Sequence, residues 1–462
     1  MDPSKVVPER TPLWFSKEIK TVNYFARLFD KITVFICFCL AIGTFIIFWP
    51  LISTINFEEA FFTPLIPSIL AIFESLGVVQ EIALKILFII SLATATVGIY
   101  LLVKDMTKRQ VPAIFAAVIY LVPPVPIFVL TFAKSPLLVG ELASAKSFLT
   151  IIYGDGAHFL ALALIPFTIL FYLRFLAYSQ KRDFLLVVLL AVAIFLTNRS
   201  QALYFGVILA IVTLTDMFIG RYKIKLAKML LVLVFVVGLV SFWYTPSFWL
   251  EGTGLAIGDI GQNLKYLFPL PAIVAILSFL FSFVFFAKRR DRQPIFISFL
   301  AFFIFLSISI DWIINGRHFL PHPHRLLPVI FMFGAVVLSL TLTAAFDKMN
   351  LEKRLPFGNL PGWGKALGAF IFAAVSFVLF TILAYFVSPL VLAVVAGPEG
   401  IWTKLRINVI ADRMQTLEIA GGKFLLAPPS FSMWEVVSGF VISGIFVLIL
   451  LLIFIKDWQS KG

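Results

Sequence analysis

Two adjacent carboxylates, Glu58 and Glu59, stand in the run Asn56-Phe57-Glu58-Glu59-Ala60-Phe61-Phe62-Thr63-Pro64-Leu65-Ile66-Pro67, directly after the first long apolar stretch. A carboxylate beside a lipid surface can act as general base toward an acceptor hydroxyl or hold a divalent cation; the plainer reading is a solvated acidic loop. Arg199, in Asn198-Arg199-Ser200-Gln201, lies between two apolar runs, where a guanidinium needs a partner or water. A phosphate on a lipid carrier matches it in geometry, and snorkelling to phospholipid headgroups is the competing account. A third cluster is Gly316-Arg317-His318-Phe319-Leu320-Pro321-His322-Pro323-His324-Arg325, with three of the four histidines. Pro321 and Pro323 forbid the regular helix that would pair histidines for zinc. Arg317, His324 and Arg325 therefore read as a phosphate-gripping set or as an ordinary loop. Asp155 and His158, in Tyr153-Gly154-Asp155-Gly156-Ala157-His158, are an interfacial pair or a helix cap and its neighbour, and Lys134 is a further polar candidate.

What must position these residues is dictated by composition. The chain has 462 residues, of which 61% are hydrophobic and 13% charged, with 53 Phe and a mean hydropathy of +1.04. Soluble domains carry about 45–50% apolar and about 25% charged residues, so the excess here calls for lipid as solvent. The formal net charge of +13 does not indicate nucleic acid, because Lys and Arg fall in short clusters between apolar runs. Cys37 and Cys39 lie inside the first apolar run, which fits reduced thiols and no disulfide framework. That first run reads as a retained signal anchor, not a cleaved leader.

A crossing helix needs about 20 mostly apolar residues. The pattern predicts an all-α, polytopic bundle with spans near 32–52, 82–103, 111–133, 157–178, 184–197, 202–220, 227–246, 266–287, 295–313, 326–346, 365–393 and 434–455. The fifth and sixth are expected as a short hairpin. Both ends of their shared run are basic, Lys181-Arg182 on one side and Arg221, Lys223 and Lys225 on the other, which puts both in the cytoplasm and the turn at 198–201. With the N-terminus inside, 26 of the 37 Lys and Arg fall in the inner loops. The expected organisation is a cytoplasmic segment 1–31, a transmembrane module 32–250, C-terminal spans 251–456 with outer loops 311–325 and 394–433, and a cytoplasmic tail 457–462. Short amphipathic helices are expected on the outer face, one of them carrying the stripe Leu405, Val409, Ile410, Met414 and Leu417. The polar clusters all fall on that face.

The order of these features resembles the GT-C superfamily of polytopic membrane glycosyltransferases. The resemblance rests on the outer pattern Glu-Glu-x-x-x-x-Pro-x-x-Pro, the tight basic loop from Lys104 to Arg109, the polar hairpin tip after Phe195-Leu196-Thr197, and Phe242-Trp243-Tyr244-Thr245-Pro246 at the seventh span. It covers roughly residues 30–250. GT-C enzymes place an Asp or Glu in the first outer loop as catalytic base or metal ligand, and Glu58 or Glu59 is the matching position. Many members have Asp there, often after Gly, so Asn-Phe-Glu-Glu is a departure. Arg199 stands where relatives often carry a Thr-His pair.

The resemblance implies transfer of a sugar from a polyprenyl-phosphate carrier to a lipid or polysaccharide acceptor outside the plasma (cytoplasmic) membrane. In that scheme Glu58 or Glu59 is the base, Arg199, Arg317, Arg325 and His324 hold the lipid phosphate, and a divalent cation is an optional cofactor. The expected partners are membrane lipids and the lipid-linked donor, with no nucleic acid. Two other readings stand beside it: a twelve-span transporter or lipid or polysaccharide flippase, and a non-catalytic subunit of an envelope-assembly complex. A transporter would place ionisable groups near the midplane and show inverted repeats; neither is evident in the sequence.

Overall fold

In a computed structural model the described residues are 30–53, 60–61, 63–121, 156–219, 222–248, 273, 276, 329, 332–340, 425–426 and 432–459. They form nine helices and one pair of two-residue strands: α1 Lys31–Ser53, β1 Ala60–Phe61, α2 Leu65–Ser75, α3 Gln80–Thr107, α4 Gln110–Leu121, α5 Gly156–Tyr178, α6 Lys181–Thr197, α7 Arg199–Ile219, α8 Tyr222–Val240, β2 Leu425–Leu426 and α9 Met433–Gln459. Residues 332–340 are also helical.

Among the described residues, three helical segments are long and apolar enough to cross a membrane, Gln80–Thr107, Leu160–Tyr178 and Met433–Ile453. Runs rich in Leu, Ile, Phe and Ala satisfy every backbone group internally when helical, which is why helices form where no water is available. The spans expected near 266–287, 295–313 and 365–393 lie outside the described residues, apart from the helical positions 273 and 276.

Two tight reversals set the helix directions. α3 ends at Lys108, whose left-handed backbone (φ 57°) lets its amide donate to the Lys104 carbonyl at 2.8 Å. α5 ends the same way at Ser179 (φ 54°), donating to the Phe175 carbonyl at 2.9 Å. α6 therefore folds straight back on α5. α3 and α5 run side by side in the same direction at Gly98, where a Cβ would collide with the Phe167 ring. Small residues permit that approach, as between membrane helices generally. Pro166, the residue beside Phe167, lies inside α5 and removes one of its backbone donors.

α6 and α7 are antiparallel, as expected for the hairpin, but the turn is tighter than a four-residue tip. Asn198 alone separates them, and its Oδ1 accepts the Gln201 amide at 3.1 Å, so Arg199, Ser200 and Gln201 already belong to α7. An Asn is among the best residues for that capping role. α6 has 17 residues and a length of about 25 Å, short of the hydrocarbon thickness of about 30 Å. α8 then runs parallel to α6 and α9 antiparallel to α8. Phe175, Phe184, Phe235 and Phe446 join four helices by ring contacts of 5.3, 5.2 and 5.3 Å, offset or edge-on as aromatic quadrupoles prefer.

One expectation changes. Residues 56–80, expected as an outer loop, contain α2, whose Ile66 and Leu70 are buried. Pro67 does not prevent this, because it falls in the first helical turn, where the amide has no intrahelical acceptor. The all-α expectation stands for the described residues, with one small addition: β1 pairs in parallel with β2, Ala60 opposite Leu425 and Phe61 opposite Leu426. The described structure is otherwise helical.

Candidate functional site

The helix directions gather polar side chains at two ends of the bundle, and the two ends differ in kind. At one end the groups are ionic. Asp30 caps α1, its Oδ1 accepting the Thr33 amide at 2.7 Å, and its Oδ2 lies 3.4 Å from the Lys104 ammonium at the end of α3. Lys104 also donates to the Thr33 hydroxyl. Partial burial pushes the Asp30 carboxyl up, but the Thr33 hydrogen bonds and the Lys104 charge outweigh it and hold it below the usual carboxylate range.

Arg174 near the end of α5 faces Asp183 in the first turn of α6 at 3.6 Å, with side chains only 4% and 0% exposed. Neither carboxylate oxygen of Asp183 accepts a hydrogen bond, so the pair attracts as charges alone. Lys228 of α8 reaches across to donate to the last carbonyls of α5, Phe175 at 3.2 Å and Leu176 at 2.8 Å. A cation there also complements the negative end of the helix dipole. Lys225 pairs with Asp216 and closes α7 onto α8.

The opposite end is held mainly by neutral groups. The Thr63 hydroxyl, buried, donates to the carbonyl of Thr197, the last residue of α6, at 2.7 Å. The Tyr244 hydroxyl, past the end of α8, donates to the Phe195 carbonyl at 2.5 Å. Thr197, Asn198 and Gln201 are buried in the same turn. The Ser247 hydroxyl donates to Glu435 Oε1 at 2.8 Å, tying the residues after α8 to the start of α9. Beneath them Ser443 lies 3.1 Å from the Ser241 hydroxyl and accepts the Phe242 amide at 3.1 Å.

This end is where the sequence put its leading candidates. Glu58 and Glu59 lie outside the described residues, yet Glu59 is covalently joined to Ala60 of β1, and Thr63 is four positions further. Arg199 opens α7, two residues past Thr197. The Thr63–Thr197 hydrogen bond thus joins the chain just after the acidic pair to the chain just before Arg199. β2 brings in a piece of the outer segment expected at 394–433. His158 belongs to α5 by its backbone. Lys134, Asp155, Arg317, His324 and Arg325, and with them the expected third cluster, lie outside the described residues.

Sequence reading missed the polar residues that make the junction: Thr63, Asn198, Gln201, Tyr244 and Glu435. Only Asn198, an N-cap type before an apolar run, carried a local signal. Among the described residues no group of three or more His, Cys, Asp or Glu is placed to hold a metal ion. No family model, curated protein or solved structure matches this chain.

Proposed function

We propose that the chain is a multi-pass glycosyltransferase of the plasma (cytoplasmic) membrane, with about twelve spans, a GT-C-like arrangement and both ends in the cytoplasm. The neutral end of the bundle faces outward in this reading, and the ionic end faces the cytoplasm. Supporting a lipid setting is the outward face of α9, where Val441, Ile445, Leu448 and Leu452 are exposed apolar residues without an aqueous rationale. The observation that carries the enzymatic reading is the Thr63–Thr197 hydrogen bond, which links the segment after Glu58 and Glu59 to the hairpin tip before Arg199.

The chemistry is an in-line displacement. A carboxylate of Glu58 or Glu59 takes the proton of the acceptor hydroxyl, whose oxygen forms a bond to the anomeric carbon of the sugar. The bond from that carbon to the phosphate oxygen breaks, and the polyprenyl phosphate leaves as an anion against Arg199, with Arg317, Arg325 and His324 as further candidates for that role. In the alternative use of the same carboxylates they hold a divalent cation. The ion pairs of the described helices lie near helix ends, most of them at the Lys104 end and Glu81–Lys85 (2.7 Å) at the start of α3, away from the midplane positions that a transporter would use.

The test replaces both acids, Glu58→Gln and Glu59→Gln, and follows transfer of labelled sugar from polyprenyl-phosphate donors. Loss of general-base assistance lowers turnover by about 10²–10⁴-fold. Wild-type turnover at normal expression contradicts the assignment.

A further inference from the structure

We infer that Thr63 is a positioning residue whose hydroxyl sets the approach of the first outer segment to the Arg199 end of the α6–α7 hairpin; the inference rests on the glycosyl-transfer reading of that end. Thr63 is not a catalytic group, because its hydroxyl is already committed. It is 3% exposed and donates to a carbonyl 134 positions away in sequence. The acceptor is informative. A C-terminal helix carbonyl has no partner inside its own helix and must find one outside. In α6 the Thr197 carbonyl is such an orphan, and the chain turns immediately afterward at Asn198, whose side chain is occupied in capping α7. The Thr63 hydroxyl therefore satisfies a group that the single-residue turn leaves exposed.

A second contact on the same short stretch restricts it further. Three residues before Thr63, Ala60 begins the two-residue ladder with Leu425 and Leu426. Immediately after it, Pro64 leads into α2, whose Ile66 and Leu70 are buried. The described residues between 60 and 70 are thus fixed at three successive points, of which Thr63 is the one hydrogen-bonded to the hairpin tip. Thr63 is the point at which the chain that follows the acidic pair is held to the turn that precedes α7. A displacement of about 1 Å between a base and the group it serves lowers turnover by up to about 10²-fold without altering the chemistry of either.

The experiment uses the full chain in lipid nanodiscs, comparing Thr63→Val, which keeps the shape and removes the donor, with Thr63→Ser, which keeps the donor. Kinetics with a labelled polyprenyl-phosphate sugar are expected to show Thr63→Val lowering kcat by at least about tenfold, donor KM within about twofold of wild type, and Thr63→Ser near wild type. A parallel measurement needs no turnover. Nitroxides at exposed Ile72 of α2 and Leu214 of α7, in a Cys37→Ser, Cys39→Ser background, report the distance between segment and hairpin. Thr63→Val is expected to broaden that distribution and Thr63→Ser to leave it narrow. If kcat and the distribution both stay at wild-type values in Thr63→Val, the inference is overturned while the transfer reading stands. If the wild type transfers no sugar, the transfer reading fails and the inference falls with it, whatever the distance measurement shows. Equal losses in Thr63→Val and Thr63→Ser, with lowered thermal stability in both, reduce Thr63 to a packing residue and also overturn the inference.

Discussion

The two ends of the bundle solve the same problem, satisfying the polar groups at helix termini, with different chemistry. The ionic end uses Asp30, Lys104, Arg174, Asp183, Asp216, Lys225 and Lys228, long charged side chains reaching between helices. The other end joins its elements mainly by hydroxyls and an amide cap, with Glu435 accepting from Ser247. Buried charges fix geometry strictly, since removing one partner strands the other. Neutral hydrogen bonds hold more weakly, each contributing about 0.5–1.5 kcal/mol. The ionic end is therefore the firmer clamp of the described helices, and the neutral end the more easily displaced.

The largest effect expected from this contrast is at Asp183. Asp183→Leu removes a carboxylate from the buried Arg174 guanidinium, which also feels Asp105, and costs about 3–5 kcal/mol in thermal unfolding of the detergent-solubilised protein. The double variant Arg174→Met, Asp183→Leu recovers most of that loss, because no charge is left to strand. A double variant as unstable as the single one would show that the pair itself, not the stranded charge, matters.

An intermediate effect is expected where α8 meets α9. Gly439→Ala puts a methyl against the Ser241 backbone carbonyl, which cannot swing aside, and overpacking of that kind costs about 1–3 kcal/mol. At the same seam Ser443→Ala removes a hydroxyl that contacts Ser241 and the Phe242 amide, a smaller change of about 0.6 kcal/mol for a polar contact between membrane helices. Chemical unfolding of both variants orders them; a costlier Ser443→Ala would mean that polarity, not close approach, holds α9.

The smallest effect concerns acid. A carboxyl held below its ordinary value in the folded state stabilises above the unfolded value and loses that contribution as pH falls through the folded one. Asp30 is such a group, so its share of stability is full at neutral pH, begins to fall near the unfolded value of about 4 and is lost as pH drops through the lower folded value. Asp30→Asn should flatten the acid limb of a stability–pH profile slightly, and its half-exposed position limits the effect. An unchanged limb would place the acid sensitivity elsewhere.

Much of this architecture was legible because lipid makes coarse demands. Apolar runs of sufficient length became α1, α3, α5 and α9, and basic residues at both ends of the run 184–219 required it to turn back. The details that escaped were long-range or local exceptions. α2 has only 11 residues, and no long apolar run announces it, although Pro67 in its first turn is compatible with a helix. Asp183, between Lys181-Arg182 and an apolar run, carries no local sign of its partner; the left-handed backbone at Ser179 folds it inward onto Arg174. Nothing in a sequence joins Thr63 to Thr197, because a hydroxyl and a backbone carbonyl leave no pattern at a separation of 134 residues. Of the candidate site, the backbone of Arg199 opens α7 beside the Thr63–Thr197 hydrogen bond, while Glu58, Glu59 and the histidine-rich run lie outside the described residues.

The central claim is that a lipid phosphate is handled at the neutral end. A cryo-EM reconstruction of the full chain in nanodiscs with polyprenyl monophosphate tests it most directly. Phosphate density is expected at the Thr197–Arg199 turn, on the side reached by Thr63. Phosphate density among Lys104, Arg174 and Lys228, or along a path at the midplane, would contradict it.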